Sequence, residues 1–280
     1  EVTSSLVGSE MCIRDSYETS VKDIYAVGDA IVVKNQLGQD ALISLASPAN
    51  RQGRQVADII SGLPVKNRGS LGTAIVRVFD LQVASTGLSE FQLRGLKINH
   101  KIVHVTANNH AGYYPDATSI VLKLIFEPES GQIFGAQAIG KEGVDKRIDI
   151  LSTAIKAKLT VFDLPELELT YAPPFGSAKD PVNMAGYAAI NLLLGQSENI
   201  QWHELAAELA KGKVLLDVRN PNELAKGKFK NSQNIPLDDL RERLNELDKK
   251  TEYIVSCQSG LRSYNAEPVS YTHLTLPTIA

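Results

Sequence analysis

Apolar residues follow two different periods along this chain, and the change of period marks its organisation. Residues 73–79, 97–108, 119–127 and 132–140 are β-branched and partly alternating, which predicts strands. Ser130-Gly131, between the last two, predicts a hairpin turn. Val144, Ile148, Leu151, Ile155 and Leu159 recur at steps of 4, 3, 4 and 4, one face of a helix. Residues 182–194 read as a second helix. Between the helices, the stretch 170–181 holds Pro173, Pro174 and Pro181, whose fixed φ and missing N–H groups exclude a helix or central strand. Residues 69–195 are therefore expected to form an α+β domain, an antiparallel sheet with a helical layer.

The flanking segments read differently. Residues 200–209 predict a helix, 213–219 a buried strand, 238–247 a charged helix and 252–256 a second strand. Cys257 to Ser263 then form a loop beyond a strand's carboxyl end, as in an open α/β domain over residues 197–267. Upstream, residues 21–30 are a β-rich apolar run ending in Gly28-Asp29. Ser47 and Pro48 predict the cap and first residue of a helix reaching Ile60.

Both ends look foreign. Residues 6–15 (LVGSEMCIRD) and 269–278 (VSYTHLTLPT) resemble translated sequencing adapters, so residues 1–16 and 268–280 are set aside as non-native. On that reading both outer domains are expected to be cut short. The remaining ~250 residues suggest two domains, or one domain and pieces of others. The formal charge of −3 includes Glu1, Glu10, Arg14 and Asp15, so the remainder carries about −1. No Lys/Arg block gives a footprint for nucleic acid or an anionic membrane. No apolar run approaches the ~18 residues of a membrane span. Cys12 belongs to the foreign stretch. Cys257 then has no internal disulfide partner, which leans towards the cytoplasm. No metal site is expected.

Residues 17–63 resemble the second flavin motif of the pyridine nucleotide–disulfide oxidoreductases. A helix N-terminus offers N–H groups to an electron-rich ligand, and an aspartate past a strand accepts from ribose-like hydroxyls. The resemblance implies FAD, with Gly28 and Asp29 at its ribityl chain and Ala46, Pro48 and Ala49 opening the helix that faces the isoalloxazine. The family's Gly-rich motif, nicotinamide domain (for NADH or NADPH) and redox cysteine have no counterpart in residues 17–267.

Residues 69–195 resemble that family's dimerisation domain, which implies a homodimer. Asn109 to Ala117 (NHAGYYPDA) and residues 170–181 resemble segments of the coenzyme A–disulfide reductases, as do residues 140–149. That resemblance implies that Tyr113 and Tyr171 stand beside the mixed disulfide of the opposite subunit and that Phe175 packs toward the flavin. A phenol near a thiolate leaving group can donate a hydrogen bond or a proton. Filling the interface is the plainer role for such aromatics. His110 reads as structural. The His-Glu pair of the glutathione-reductase branch is not found.

Cys257-Gln258-Ser259-Gly260-Leu261-Arg262 is a six-residue ring opening onto a helix. Its backbone N–H groups can curl around sulfur as an anion nest, and the helix N-terminus and Arg262 are expected to lower the thiol pKa. Such a thiolate can accept a sulfane sulfur. With residues 216–219 (LDVR) and 234–236 (NIP), the block resembles the rhodanese, or sulfurtransferase, domain. The combined resemblance implies NAD(P)H- and FAD-dependent reduction of coenzyme A disulfide, persulfide or polysulfide, with Cys257 carrying sulfur. Two alternatives stand beside it: a sulfurtransferase with a degenerate reductase part, and a fragment that only dimerises.

Overall fold

The computed structural model describes residues 16–270 and 277–279. Most of the stretches read as foreign lie outside the described residues. The first described segment is small. Strands β1 (Val32–Lys34) and β2 (Asp40–Leu42) form an antiparallel ribbon, followed by helix α1 (Ala46–Ile60). Tyr17, Ile31 and Val33 form its core, with Val56 and Ile59 of α1 against them. Two expectations are corrected here. The run 21–30 is not a strand: only Tyr25 bridges, to Glu18, and Gly28–Ala30 is a 3-10 turn. Asp23 takes a positive φ of 65°, which breaks the extended path. Ser47 does not cap α1 either. The extended residue before the helix is Leu45, so Pro48 falls in the first turn, where no N–H is needed.

The central domain is a five-stranded antiparallel sheet ordered β3-β4-β7-β6-β5. Its strands are β3 (Ala74–Val78), β4 (Leu81–Gly87), β5 (Lys101–Asn108), β6 (Ser119–Phe126) and β7 (Ile133–Gly140), with helix α2 (Glu90–Gly95) between β4 and β5. The predicted strands are present, but the one expected from residue 97 starts at Lys101. Strand β4 and helix α2 were not foreseen. The Ser130-Gly131 turn does join β6 to β7, with Gly131 at φ +72°. An added Cβ there would meet Val161 Cγ2 at 2.8 Å. Helix α3 (Val144–Lys156) buries Val144, Ile148, Leu151 and Ile155 on one face of the sheet. Helix α4 (Pro181–Leu193) adds Val182, Ala185 and Ala189 to the same core. The opposite face carries Val76, Val121 and Ile139, all exposed in the monomer.

The third unit is a parallel sheet ordered β10-β9-β11-β12-β8. In chain order it contains β8 (Glu198–Ile200), α5 (Leu205–Ala210), β9 (Val214–Asp217), α6 (Pro221–Leu224), β10 (Gln233–Asn234), α7 (Leu237–Leu240), β11 (Tyr253–Ser256), α8 (Leu261–Ser270) and β12 (Pro277–Ile279). Strand β12 lies within the stretch read as adapter. The helix expected from Ile200 starts only at Leu205, because Glu198–Ile200 pairs as an edge strand. The helix expected over 238–247 is broken into α7 and a 3-10 turn, Leu244–Glu246. Leu216, Val218, Ile235, Leu240 and Val255 form a separate core. The two larger units touch through Asn199 Nδ2, which donates to Ile102 O on the outer edge of β5 at 2.9 Å. Asn191 of α4 also meets the Tyr264 hydroxyl of α8.

Candidate active site

The two tyrosine segments are brought together. The hydroxyls of Tyr113 and Tyr171 lie 3.3 Å apart, and both rings are exposed. Their shared hydrogen bond, with a small burial contribution, raises the Tyr113 pKa above its ordinary value. The phenol is therefore protonated at neutral pH and able to donate. Ala111 N–H donates to Pro173 O at 3.3 Å, joining the two loops by backbone. Phe175 is also exposed, with its N–H held by Ala172 O at 2.8 Å. His110 is structural, as expected: it is buried, its Nε2 is 3.0 Å from Pro115 O, and its ring meets Tyr114 edge-on.

What holds these loops was not foreseen. Arg147, 1% exposed on α3, sits between them. Its Nη2 donates to Asn109 O at 2.7 Å, at the root of the Tyr113 loop, and to Asp180 Oδ2 at 2.8 Å, at the end of the Tyr171 loop. Its Nη1 donates to Gly143 O at 3.1 Å. Asp180 in turn accepts from Val182 N–H and caps α4. A buried guanidinium is tolerated only when so paired. The sole sequence signal was an arginine set among the apolar positions of α3.

The flavin-motif residues are adjacent too. Gly28, at φ +71°, donates its N–H to Gln52 Oε1 at 2.7 Å. A Cβ on Gly28 would stand 3.5 Å from Ala49 Cβ, so the turn packs directly on the first turns of α1. Asp29 and Ala46 are exposed, Ala49 is half-buried and Pro48 is buried. An exposed carboxylate beside a helix N-terminus fits a sugar-like hydroxyl chain running toward an electron-rich ring. These residues are thus compatible with one wall of a flavin site.

The Cys257 loop forms a cup at the end of β11. Gly260, at φ +90°, turns its N–H onto Cys257 Sγ at 3.2 Å, and Ser263 Oγ lies 3.6 Å from the sulfur. Burial pushes the Cys257 thiol up. Hydrogen bonding from the Ser263 hydroxyl and from the N–H groups of Ser263, Ser259 and Gly260 outweighs it, and the net direction is down. Ser263 is completely buried, and its hydroxyl also lies 2.8 Å from Gly260 O, so its one proton is shared between that carbonyl and the thiolate. Arg262 has a partner that the sequence did not show. Its guanidinium makes a two-pronged pair with Glu223, at 2.6 and 2.7 Å, and it still attracts the Cys257 thiolate, although hydrogen bonds to the sulfur are the main groups that lower the thiol. Among the described residues no cluster of side chains is arranged to hold a metal.

Gln258 is exposed beside this cup, while Ser259, Gly260 and Leu261 line a cavity of about 400 Å³ between the two domains. Its opposite wall includes Thr106 of β5, Lys179 from the 170–181 stretch and Tyr187 of α4. Tyr113 and Tyr171 do not line it.

A prediction follows for the thiol. Its alkylation by iodoacetamide, followed against pH, should reach half-maximum below the pH of an ordinary cysteine. Ser263→Ala removes one donor, so the midpoint should move up. A midpoint unmoved by the substitution would mean that Ser263 does not hold the thiolate.

The sequence itself matches two domain families. Residues 73–181 match the pyridine nucleotide-disulphide oxidoreductase dimerisation domain, and residues 201–276 match the rhodanese-like domain. Coenzyme A disulfide reductase of Staphylococcus haemolyticus is 39% identical over 184 residues, which are 64% of this chain and 41% of that protein. Among solved structures, reduced CoADR-RHD of Bacillus anthracis is 51% identical with a TM-score of 0.92, over 95% of this chain and 48% of that one. An NAD-dependent persulfide reductase from A. fulgidus is 35% identical with a TM-score of 0.87, over 95% and 49%. The chain thus spans less than half the length of these relatives.

Proposed function

From a chain that carries a pyridine nucleotide-disulphide oxidoreductase dimerisation domain followed by a rhodanese-like domain, we propose the dimer-forming and sulfur-carrying part of an NADH- or NADPH-dependent flavoprotein reductase. Its substrates are coenzyme A disulfide, a persulfide or a polysulfide. The carrying observation is that one chain holds both a paired, protonated phenol site at Tyr113 and Tyr171 and a lowered thiol at Cys257. The names of the relatives, coenzyme A disulfide reductase and persulfide reductase, support the same substrate class.

Each part of the chain has a task in this reading. The exposed apolar sheet face with Val76, Val121 and Ile139 suits a second copy, which would bury it. Across that dimer, Tyr113 and Tyr171 donate hydrogen bonds to a sulfur leaving group in the partner's reductase site. Gly28, Asp29, Ala46, Pro48 and Ala49 hold FAD, with Phe175 toward it. Bound FAD supplies two-electron transfer from the nicotinamide. Cys257 thiolate attacks the outer sulfur of a persulfide: the old S–S bond breaks, a new one forms on Cys257, and the released thiolate takes a proton from water. Among the described residues no helix is long and apolar enough to cross a membrane, and a lone thiol chemistry of this kind suits the cytoplasm.

Tyr171→Phe tests the phenol role, because it removes only a hydroxyl. In the full-length reductase, NADH consumption with coenzyme A disulfide should fall about tenfold or more, with bound flavin unchanged. Undiminished turnover in both Tyr113→Phe and Tyr171→Phe would reduce these rings to interface packing.

A further inference from the structure

Two arginines on neighbouring loops, Arg219 and Arg262 of the Cys257 loop itself, are each paired with a carboxylate. Arg219, just past β9, clasps the fully buried Asp217 through Nε and Nη2, with contacts of 2.7 to 3.0 Å. Arg262 clasps Glu223 of α6 through both Nη atoms, at 2.6 and 2.7 Å. The Glu223 carboxylate also accepts from Asn220 N–H at 2.9 Å, so its position is fixed by the helix cap as well as by the guanidinium. Fork-on-fork pairs of this kind are directional and strong for their exposure. The cup therefore offers a dipolar nest of N–H groups without a free guanidinium. Lys226, Lys228 and Lys230 on the next loop are exposed, where water and salt screen them.

We infer that Glu223 sets the donor specificity of Cys257: by holding Arg262 and offsetting its charge, it favours an organic persulfide, with at most one charge at its reacting sulfur, over thiosulfate, whose two charges both enter the cup. This rests on the reading of Cys257 as a sulfur carrier. Both donors would load it by the same exchange. The thiolate attacks the sulfane sulfur, one S–S bond forms and one breaks, and the electron pair leaves with a thiolate or with sulfite. No net oxidation occurs. The donors differ in the charge brought to the cup. Thiosulfate brings two negative charges next to a thiolate and needs an unpaired cation to offset them. An organic persulfide brings at most one at its reacting sulfur, and any others lie farther along its carbon chain. Glu223 stays ionised throughout the neutral range, since Arg262 and the Asn220 N–H hold its pKa at about 2. The pair is thus not relaxed by a modest change of pH.

The test is sulfur loading of this chain, read as the mass gain of one sulfur on Cys257, with thiosulfate and glutathione persulfide as donors. The wild type should load from the persulfide faster. Glu223→Gln keeps the side chain's length and its acceptor for Asn220 N–H but removes the charge. Its thiosulfate-to-persulfide rate ratio should rise about tenfold, a modest part of what one unpaired charge at a half-buried site can exert. Glu223→Asp, which keeps the charge, should stay near the wild-type ratio. An unchanged ratio in Glu223→Gln, or a wild type that loads faster from thiosulfate, overturns the inference and leaves the sulfur-carrier reading standing. Loading from neither donor overturns both.

Discussion

Asp180→Asn should lower stability by about 3–5 kcal/mol, the usual result of removing one partner from a buried ion pair. Arg147 and Asp180 side chains are only 1% and 3% exposed. Asparagine can still accept the Val182 N–H and cap α4, so the loss isolates the charge. What remains is a guanidinium without a counter-ion, far from water, between the Asn109 and Gly143 carbonyls. In a chain of this size the thermal midpoint should fall by about 10 °C. Arg147→Met combined with Asp180→Leu should recover much of it, because an apolar replacement of a whole buried pair is often neutral. A single-variant loss below about 1 kcal/mol would show that water reaches the pair. The effect matters beyond stability. Arg147 is the tie between the Tyr113 and Tyr171 loops, so Asp180→Asn should also loosen the two hydroxyls.

Cys257→Ser should abolish sulfur loading altogether. Serine keeps the volume of the cup and can accept the Gly260 N–H, yet its hydroxyl does not ionise near neutrality and does not hold sulfane sulfur. Among the described residues Cys257 is the one free cysteine. Residual loading at the wild-type rate would place the sulfur on a different nucleophile.

Much of this was legible before any coordinates. The apolar step along Val144, Ile148, Leu151 and Ile155 forms the buried face of α3, and Ser130-Gly131 makes the expected hairpin. The Cys257 loop was readable because it follows an apolar strand, opens onto a helix and carries a glycine, Gly260, where the backbone takes a positive φ. Strand β4 was missed because its turn lacks the usual signal. Phe79, at φ +54°, takes a left-handed position normally filled by glycine or asparagine. The next residue, Asp80, pairs with Lys141 at 2.8 Å. Arg147 was missed for a deeper reason. One arginine on a helix is ordinarily solvated, and its acceptors lie 38 and 33 residues away. Arg262 was assigned to the sulfur from its place in the loop, but its partner lies on α6, a competition that only the fold reveals.

The central claim joins the lowered thiol of Cys257 to a reductase. Its most direct test is NADH consumption by the full-length protein, wild type and Cys257→Ser, with coenzyme A persulfide and coenzyme A disulfide side by side. The account predicts that Cys257→Ser impairs turnover of the persulfide and spares that of the disulfide. Equal rates for the two proteins on both substrates would contradict it and remove Cys257 from the path.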